Sequence, residues 1–382
     1  MKHHVLSGAD CLDTVEKLLR GRRIGLMTNP TGVAHDMEST IDLIHRRFQL
    51  TALFGVEHGI RGDAQAGDEV ENTVDAATHV PVFSTYGAHR EYTQEKLDAF
   101  DVLVFDMQDV GARFYTYLYS LANAMKACAK AGKPVIVLDR VDPLGGKVRQ
   151  GTVIEEKFAS FVGNYALPTR YGLTVGEYAG YVKDYLKLDL DLTVAPLRGW
   201  KREMYLDDTD LPWVAPSPNC YDLATAICYI GTCIFEGTNI SEGRGTTQPF
   251  QLVGAPFLRA ETLEKAMNQK GLPGLYFRRT YFKPTFSKHE GTLCEGVQMH
   301  VLDREKADPF AGGLYLLEEI LRQAGDKVEF LRWGENAVHS IDKLLGTDAF
   351  RTGRMTAEEV IAKGQKDIAA FCEKARAYEL YG

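Results

Sequence analysis

The chain has 382 residues, 45% hydrophobic and 25% charged, so it can bury a full core without staples and is longer than a single core usually sustains. Its formal net charge of -8, with basic residues scattered rather than clustered, excludes the footprint of a nucleic-acid or acidic-membrane binder. No apolar run approaches the roughly 20 residues that span a bilayer, and MKHHVLSGADCLDT lacks the apolar core of a secretory signal.

As given, then, the chain reads as soluble and cytoplasmic, with no membrane insertion, and as periplasmic or secreted if a leader once preceded it. In chain order, RRIGLMTN (22–29), LTALFGVE (50–57), VPVFST (80–85), DVLVFDMQD (101–109) and KPVIVLDR (133–140) are short apolar runs rich in Val, Ile, Leu and Phe. Helical patterns lie between several of them, including STIDLIHRRF, TQEKLDAF and YTYLYSLANAMKACAKAG, which ends at Gly132 as helices tend to. TVGEYAGYVKDYL then predicts a helix and LDLTVAPL a strand. Buried strands alternating with helices imply an α/β fold with a doubly wound, Rossmann-like, mostly parallel sheet covered on both faces. This domain is expected over residues 1–228.

Near WVAPSPNCYD the pattern breaks, with Pro212, Pro216 and Pro218 close together. Beyond it a helix at AETLEKAMNQ precedes strand-like LYFRRTYF and EGVQMHVLD, and helices resume at GGLYLLEEILRQAG and in the last 25 residues or so. The mixture predicts a smaller α+β domain over 229–382 that closes a cleft against the first. Seven cysteines, an odd count with no C-x-x-C pair, imply reduced thiols rather than a zinc site or a disulfide framework.

Ligands of open parallel sheets bind at the carboxyl ends of the strands. Here the first strand ends at Asn29, the second at Glu57 and His58, the fourth at Asp106, Gln108 and Asp109, and the fifth at Asp139, Arg140 and Asp142. A dinucleotide would need G-x-G-x-x-G at the first strand-to-helix turn, which reads MTNPTGVAH with one glycine, Gly32. The later GRG at Gly243 to Gly245 lacks the third glycine, and neither a Walker loop nor a G-x-S-x-G elbow appears. No nucleotide cofactor is therefore expected. Paired carboxylates remain, and glycoside hydrolysis uses two such groups, or one with a substrate acetamido group in the second role.

LFGVEHGIRG, FDMQDVGARFYTY, VLDRVDPLGG with GTVIE, LPTRYGLTVGEYA and FEGTNISEGRGTTQPF resemble, in order, successive blocks of the exo-β-N-acetylmuramidases, glycoside hydrolase family 171. The resemblance runs from about residue 23 to the C-terminus. It implies a Rossmann-like domain, a smaller second domain and a cleft between them. The activity implied is release of N-acetylmuramic acid from non-reducing ends of peptidoglycan fragments, without NAD, so the expected partner is a small carbohydrate. Two blocks depart from the family pattern: Val141 and Asp142 stand where Pro-Asn is usual, and CYDLATAICYIGT follows SPN. Both departures bear on the sugar bound, whether muramic acid, an anhydro form or another acetamido sugar.

Among the residues, Glu57 is expected as general acid or base, because it ends a strand between glycines and matches the strongest family block. His58 is a second proton carrier or orients Glu57. Glu236 opens the loop 236–250 and is the expected second carboxylate, with Asn239, Ser241, Arg244 and Thr246 binding substrate from the same loop. Asp106, Gln108 and Asp109 can meet sugar hydroxyls or cap a helix beginning near Phe114. Asn29 and Asp139 complete the rim. Arg61, Arg113, Arg140 and Arg244 are candidates for the lactyl carboxylate of muramic acid, against ordinary ion pairing. Tyr115 and Tyr171 either stack on sugars or belong to the core. Asp106, Asp109, Asp139 and Glu57 would together suit Mg²⁺ or Ca²⁺. Without a phosphate loop beside them a metal-dependent hydrolase of phosphorylated sugars is the lesser reading, as is a cell-wall-fragment binding protein without turnover, and no metal is expected.

Overall fold

Six of the apolar runs become parallel neighbours in one sheet. The computed structural model describes residues 2–56, 59–60, 72–85, 87, 90–333 and 338–382. Its larger sheet contains β1 (Arg23–Thr28), β2 (Gln49–Gly55), β3 (Thr73–Val74), β4 (Pro81–Ser84), β5 (Val102–Asp106), β6 (Val135–Leu138) and β7 (Leu192–Ala195), in the order β3-β4-β2-β1-β5-β6-β7. All pairings are parallel except that of the short edge strand β3 with β4.

The side-chain period of two explains why these runs are apolar throughout. Met27, Phe54, Leu103, Phe105 and Val137 face one core, and Ile24, Leu26, Leu53, Val104 and Ile136 face the other. Short α1 (Glu16–Leu19) and α2 (Thr40–Arg47) cover the second face with Leu19, Ile41 and Ile44. Beyond α3 (Gln94–Asp98), the first face takes α4 (Tyr117–Ala131) and α5 (Val175–Tyr185) through Leu118, Leu121, Met125, Tyr178 and Val182. Local chemistry fixes the helix ends. Thr174 and Glu177 form a reciprocal capping box on α5, and Gly132 closes α4 at φ 64°. The helix expected from near Phe114 begins at Tyr117, three residues later.

The second lobe is built on an antiparallel sheet of β8 (Leu252–Ala255), β9 (Leu275–Phe282) and β10 (Cys294–Val301), in the order β8-β10-β9. With it are α6 (Leu223–Thr232), α7 (Ala260–Gln269), α8 (Pro309–Ala324), α9 (Ser340–Leu345) and α10 (Ala357–Ala375). The α7 helix covers the β9 edge: the Asn268 amide bonds both backbone groups of Phe277, and Glu264 accepts from the Arg279 N–H. The α6 helix had not been expected, since Thr, Ile, Cys, Tyr and Gly are mediocre helix formers. Burial of Ala226, Cys228, Tyr229 and Ile230 in the main core carries it. That core runs without a break from the α4 face of the large sheet to Phe277, Val297, Leu314 and Leu317 in the second lobe. The seven cysteines are free, and six of them are buried. Among the described residues, no helix is long and apolar enough to cross a membrane.

Candidate functional site

Strand order places the crevice. From β1 the chain moves to β2 on one side and later returns to β5 on the other, so the carboxyl ends of β1 and β5 flank the switch point. Glu57, His58 and Arg61 follow β2 in the chain and lie outside the described residues.

Several strand-end groups turn out to hold one another. Asp106 has no exposed surface; the Arg140 guanidinium donates to it through Nε (2.5 Å) and Nη2 (2.8 Å), and the Thr40 hydroxyl donates as well. Arg140 also donates to the Val33 carbonyl (2.9 Å), so both members of this pair are committed to bonds within the lobe. Asp139 accepts from the Arg140 N–H (2.9 Å), the Thr174 hydroxyl (2.8 Å), the Gly176 N–H at the start of α5 (2.7 Å) and the Tyr381 hydroxyl (2.6 Å). Burial pushes its carboxyl up to about 7 against these donors.

Arg113 is likewise reassigned. It is fully buried and donates to the carbonyls of Thr152, Leu167 (2.9 Å) and Leu344 (2.7 Å), lacing the first lobe to α9. Tyr171 is a core residue whose hydroxyl donates to Asp109. Tyr115 packs edge-to-face on Tyr117 (4.9 Å) and Tyr229 (6.2 Å), joining the lobes rather than offering an open face. In the lesser, metal-binding reading of Asp106, Asp109, Asp139 and Glu57, the oxygens of Asp106 and Asp139 already accept from protein donors.

Asp109, Asp142, Asn29 and Gln108 differ from that group. Asp109 Oδ2 accepts from the Gly111 N–H (2.8 Å) and from Tyr171, whereas Oδ1 is buried and unpartnered. Asp142 Oδ1 accepts from the Leu144 N–H (2.9 Å), and its Oδ2 is buried and unpartnered too. Gly111, at φ 76°, separates them; a Cβ there would come 2.5 Å from Asp142 Oδ1. Burial raises both carboxyls to about 7, and the Asp142 charge adds to the rise at Asp109.

Asn29 Oδ1 accepts from the Thr31 N–H (3.0 Å) and hydroxyl (2.5 Å), leaving Nδ2 buried without a partner. Gln108 donates through Nε2 to the carbonyls of Asp109 and Val141, both at 2.8 Å. An unpaired buried polar atom costs about 1–3 kcal/mol. Three of them at one sheet edge can be completed by ordered water or by a polyhydroxylated ligand.

The loop 236–250 carries a second group of charged residues. Arg244 Nη2 donates to Glu236 (2.6 Å), and its Nε lies 3.3 Å from Glu242. Lys288 holds Glu242 (2.8 Å) and donates to the carbonyls of Phe235 and Ile240. Glu242 is sealed at 2% side-chain exposure, while Glu236 and Arg244 keep 20% and 24%. Burial outweighs the Arg244 charge and pushes the Glu236 carboxyl up, with Glu242 adding to the effect.

Gly243 and Gly245 have positive φ (83° and 80°), which gives this loop its tight course. The other loop residues make bonds within the protein. Asn239 pairs through its amide with the Lys327 carbonyl and the Glu329 N–H. Ser241 is buried and accepts from the Gly243 N–H, and the Thr246 hydroxyl donates to the Gly243 carbonyl. Tyr229 ties this loop to the first lobe, meeting Phe250 (4.6 Å), Phe114 (5.8 Å) and Tyr115. Neither Tyr229 nor Lys288 had been anticipated. Lys288 reaches its carboxylate across 46 residues, and no local pattern signals that.

Residues 24–224 match the family described as exo-β-N-acetylmuramidase NamZ, N-terminal, and residues 227–381 match its C-terminal counterpart. The chain is 46% identical over 386 aligned positions to the peptidoglycan β-N-acetylmuramidase NamZ of Bacillus subtilis (strain 168), covering 100% of this chain and 92% of that one. Two crystal structures of DUF1343 family proteins from Bacteroides fragilis NCTC 9343 share the fold. One has TM-score 0.92 at 36% identity and the other 0.80 at 29%, each alignment covering 99% of both chains.

Proposed function

Because the chain belongs to the NamZ family of exo-β-N-acetylmuramidases, we propose that it releases N-acetylmuramic acid from the non-reducing end of peptidoglycan fragments by carboxylate acid/base catalysis. It is a glycosidase. The end-to-end 46% identity to a peptidoglycan β-N-acetylmuramidase carries this reading. The lobe 1–228 supplies Glu57, which directly follows β2, and the lobe 229–382 supplies Glu236.

Cleavage needs a proton delivered to the glycosidic oxygen as its bond to the anomeric carbon breaks. Water then adds to that carbon and surrenders a proton to a second group. Glu236 suits proton delivery: its raised carboxyl holds a proton further toward neutral pH, and a fifth of its side chain is open. Among the described residues Arg244 makes no bond through Nη1, and it is a group proposed to meet a lactyl carboxylate. Asp109, Gln108 and Asn29 are the proposed partners for sugar hydroxyl and acetamido groups, and Arg61 and His58 stand beside Glu57 in the chain.

A chromogenic β-N-acetylmuramide tests the assignment. The native chain should release chromophore, and Glu57→Gln should lower kcat by about 10²–10⁴-fold. Glu236→Gln should show a comparable loss together with disappearance of one limb of the pH profile. A Glu236→Gln enzyme within threefold of native would leave that residue a structural partner of Arg244. Silence of folded native protein on every acetamido glycoside would defeat the function itself.

A further inference from the structure

Three side chains from distant parts of the first lobe converge at one place. His4 Nδ1 lies 2.7 Å from Asp210 Oδ2, and His35 Nε2 lies 3.1 Å from the same oxygen. All three donor atoms lie within 4.8 Å of one another. We propose that His4, His35 and Asp210 form a site for one divalent transition metal ion, zinc(II) above all.

The geometry favours a shared ion over three separate contacts. The imidazole rings stand 5.0 Å apart at 71°. His35 Nε2 is buried, and the Asp210 carboxylate faces it at 3.1 Å. Two imidazoles and a carboxylate bind zinc at about 2.0–2.2 Å, which sets ligand atoms roughly 3.3 Å apart on a tetrahedral edge. Small outward shifts of the two nitrogens from Oδ2 reach that spacing. The fourth position faces solvent on the side of exposed His4 and would hold water.

The ligands are also braced in advance. The Val5 N–H donates to Asp210 Oδ1 (2.9 Å), leaving Oδ2 for an ion. The Asp210 N–H donates to the His3 carbonyl (2.9 Å), and the His35 N–H to Asp10 Oδ1 (2.8 Å). Nitrogen ligands select zinc, nickel or copper over magnesium and calcium, which prefer oxygen. An ion here would pin the N-terminal segment to the loop after β1 and to the 206–211 segment. It would not enter the glycosidase reaction.

The test uses the full chain, freed of metal by chelator and dialysis, with zinc(II) or magnesium(II) alone as probe. Calorimetry should register one equivalent of zinc, with a rise of a few degrees in Tm and no response to magnesium. Cobalt(II) at the same site should give the visible absorption of a tetrahedral complex. His35→Ala and Asp210→Asn should weaken zinc binding by more than tenfold. His4→Ala, at an exposed position that the fold tolerates, should weaken it as well and remove the cobalt spectrum. No bound equivalent in the native chain, or native affinity in all three variants, would overturn the site.

Discussion

Asp106 and Asp139 leave the carboxyl edge of the large sheet beside Asp109 and Asp142, yet the two pairs live under different terms. Asp106 shares two hydrogen bonds with Arg140 and one with Thr40, and Asp139 collects four donors. Asp109 and Asp142 each keep one oxygen buried and unpartnered. Position at a strand end therefore does not decide whether an acid serves the fold or the site. The number of donors already committed to it does. Saturated acids are held by the fold and resist change; half-satisfied ones keep an oxygen with capacity left for a ligand.

The largest effect expected from this contrast is on the saturated side. Arg140→Ala would strand Asp106 as an uncompensated charge with no exposed surface. Removing one member of such a pair costs about 3–5 kcal/mol, to be read from urea denaturation. The fraction that stays folded should keep its KM for a muramide. A KM rising tenfold with stability intact would break the comparison, since it would mean that Arg140 is aimed at substrate.

A smaller effect follows from protonation. The folded carboxyls of Asp109 and Asp142 lie near 7, raised by burial from the usual 3.8. A raised folded value means that the folded chain binds the proton more tightly than the unfolded chain. Their contribution is thus complete below about pH 4 and is lost as pH climbs through 7. Between pH 5 and pH 8 the native protein should lose about 2–3 kcal/mol for each such group. Asp142→Asn should flatten that decline by one group's share, measured as the difference in unfolding free energy at the two pH values. An unchanged slope would show that Asp142 keeps one protonation state between the two pH values.

Much of this architecture is legible in the residues. Apolar runs and intervening helices announce the parallel sheet, β9 falls on LYFRRTYF without a residue's shift, and the loop holding Glu236 and Arg244 stands out by its glycines and charges. Which acids are already satisfied is not legible, because the partners come from far away. Tyr381 reaches Asp139 across 242 residues and Leu344 receives Arg113 across 231. No local pattern encodes such meetings, so Asp139 and Arg113 look like ligand groups until the C-terminal segments are packed against them. The α6 helix was hidden for a related reason: its propensity is poor, and only tertiary burial stabilises it.

The finest test sits on Asp109, where the stability change should be smallest. Asparagine keeps an oxygen to accept from the Gly111 N–H and the Tyr171 hydroxyl, and places its amide nitrogen where the unpartnered oxygen now lies. No existing bond is lost, and a carboxyl that is half protonated near pH 7 gives up little charge. Asp109→Asn should therefore unfold within about 1 kcal/mol of native at pH 7. Its turnover on a muramide should nevertheless fall at least tenfold if the free oxygen meets a sugar hydroxyl, because a donor would then confront a donor. A loss of 3 kcal/mol or more with kcat and KM unchanged would put Asp109 in the same class as Asp106, and the division between the two pairs of acids would disappear.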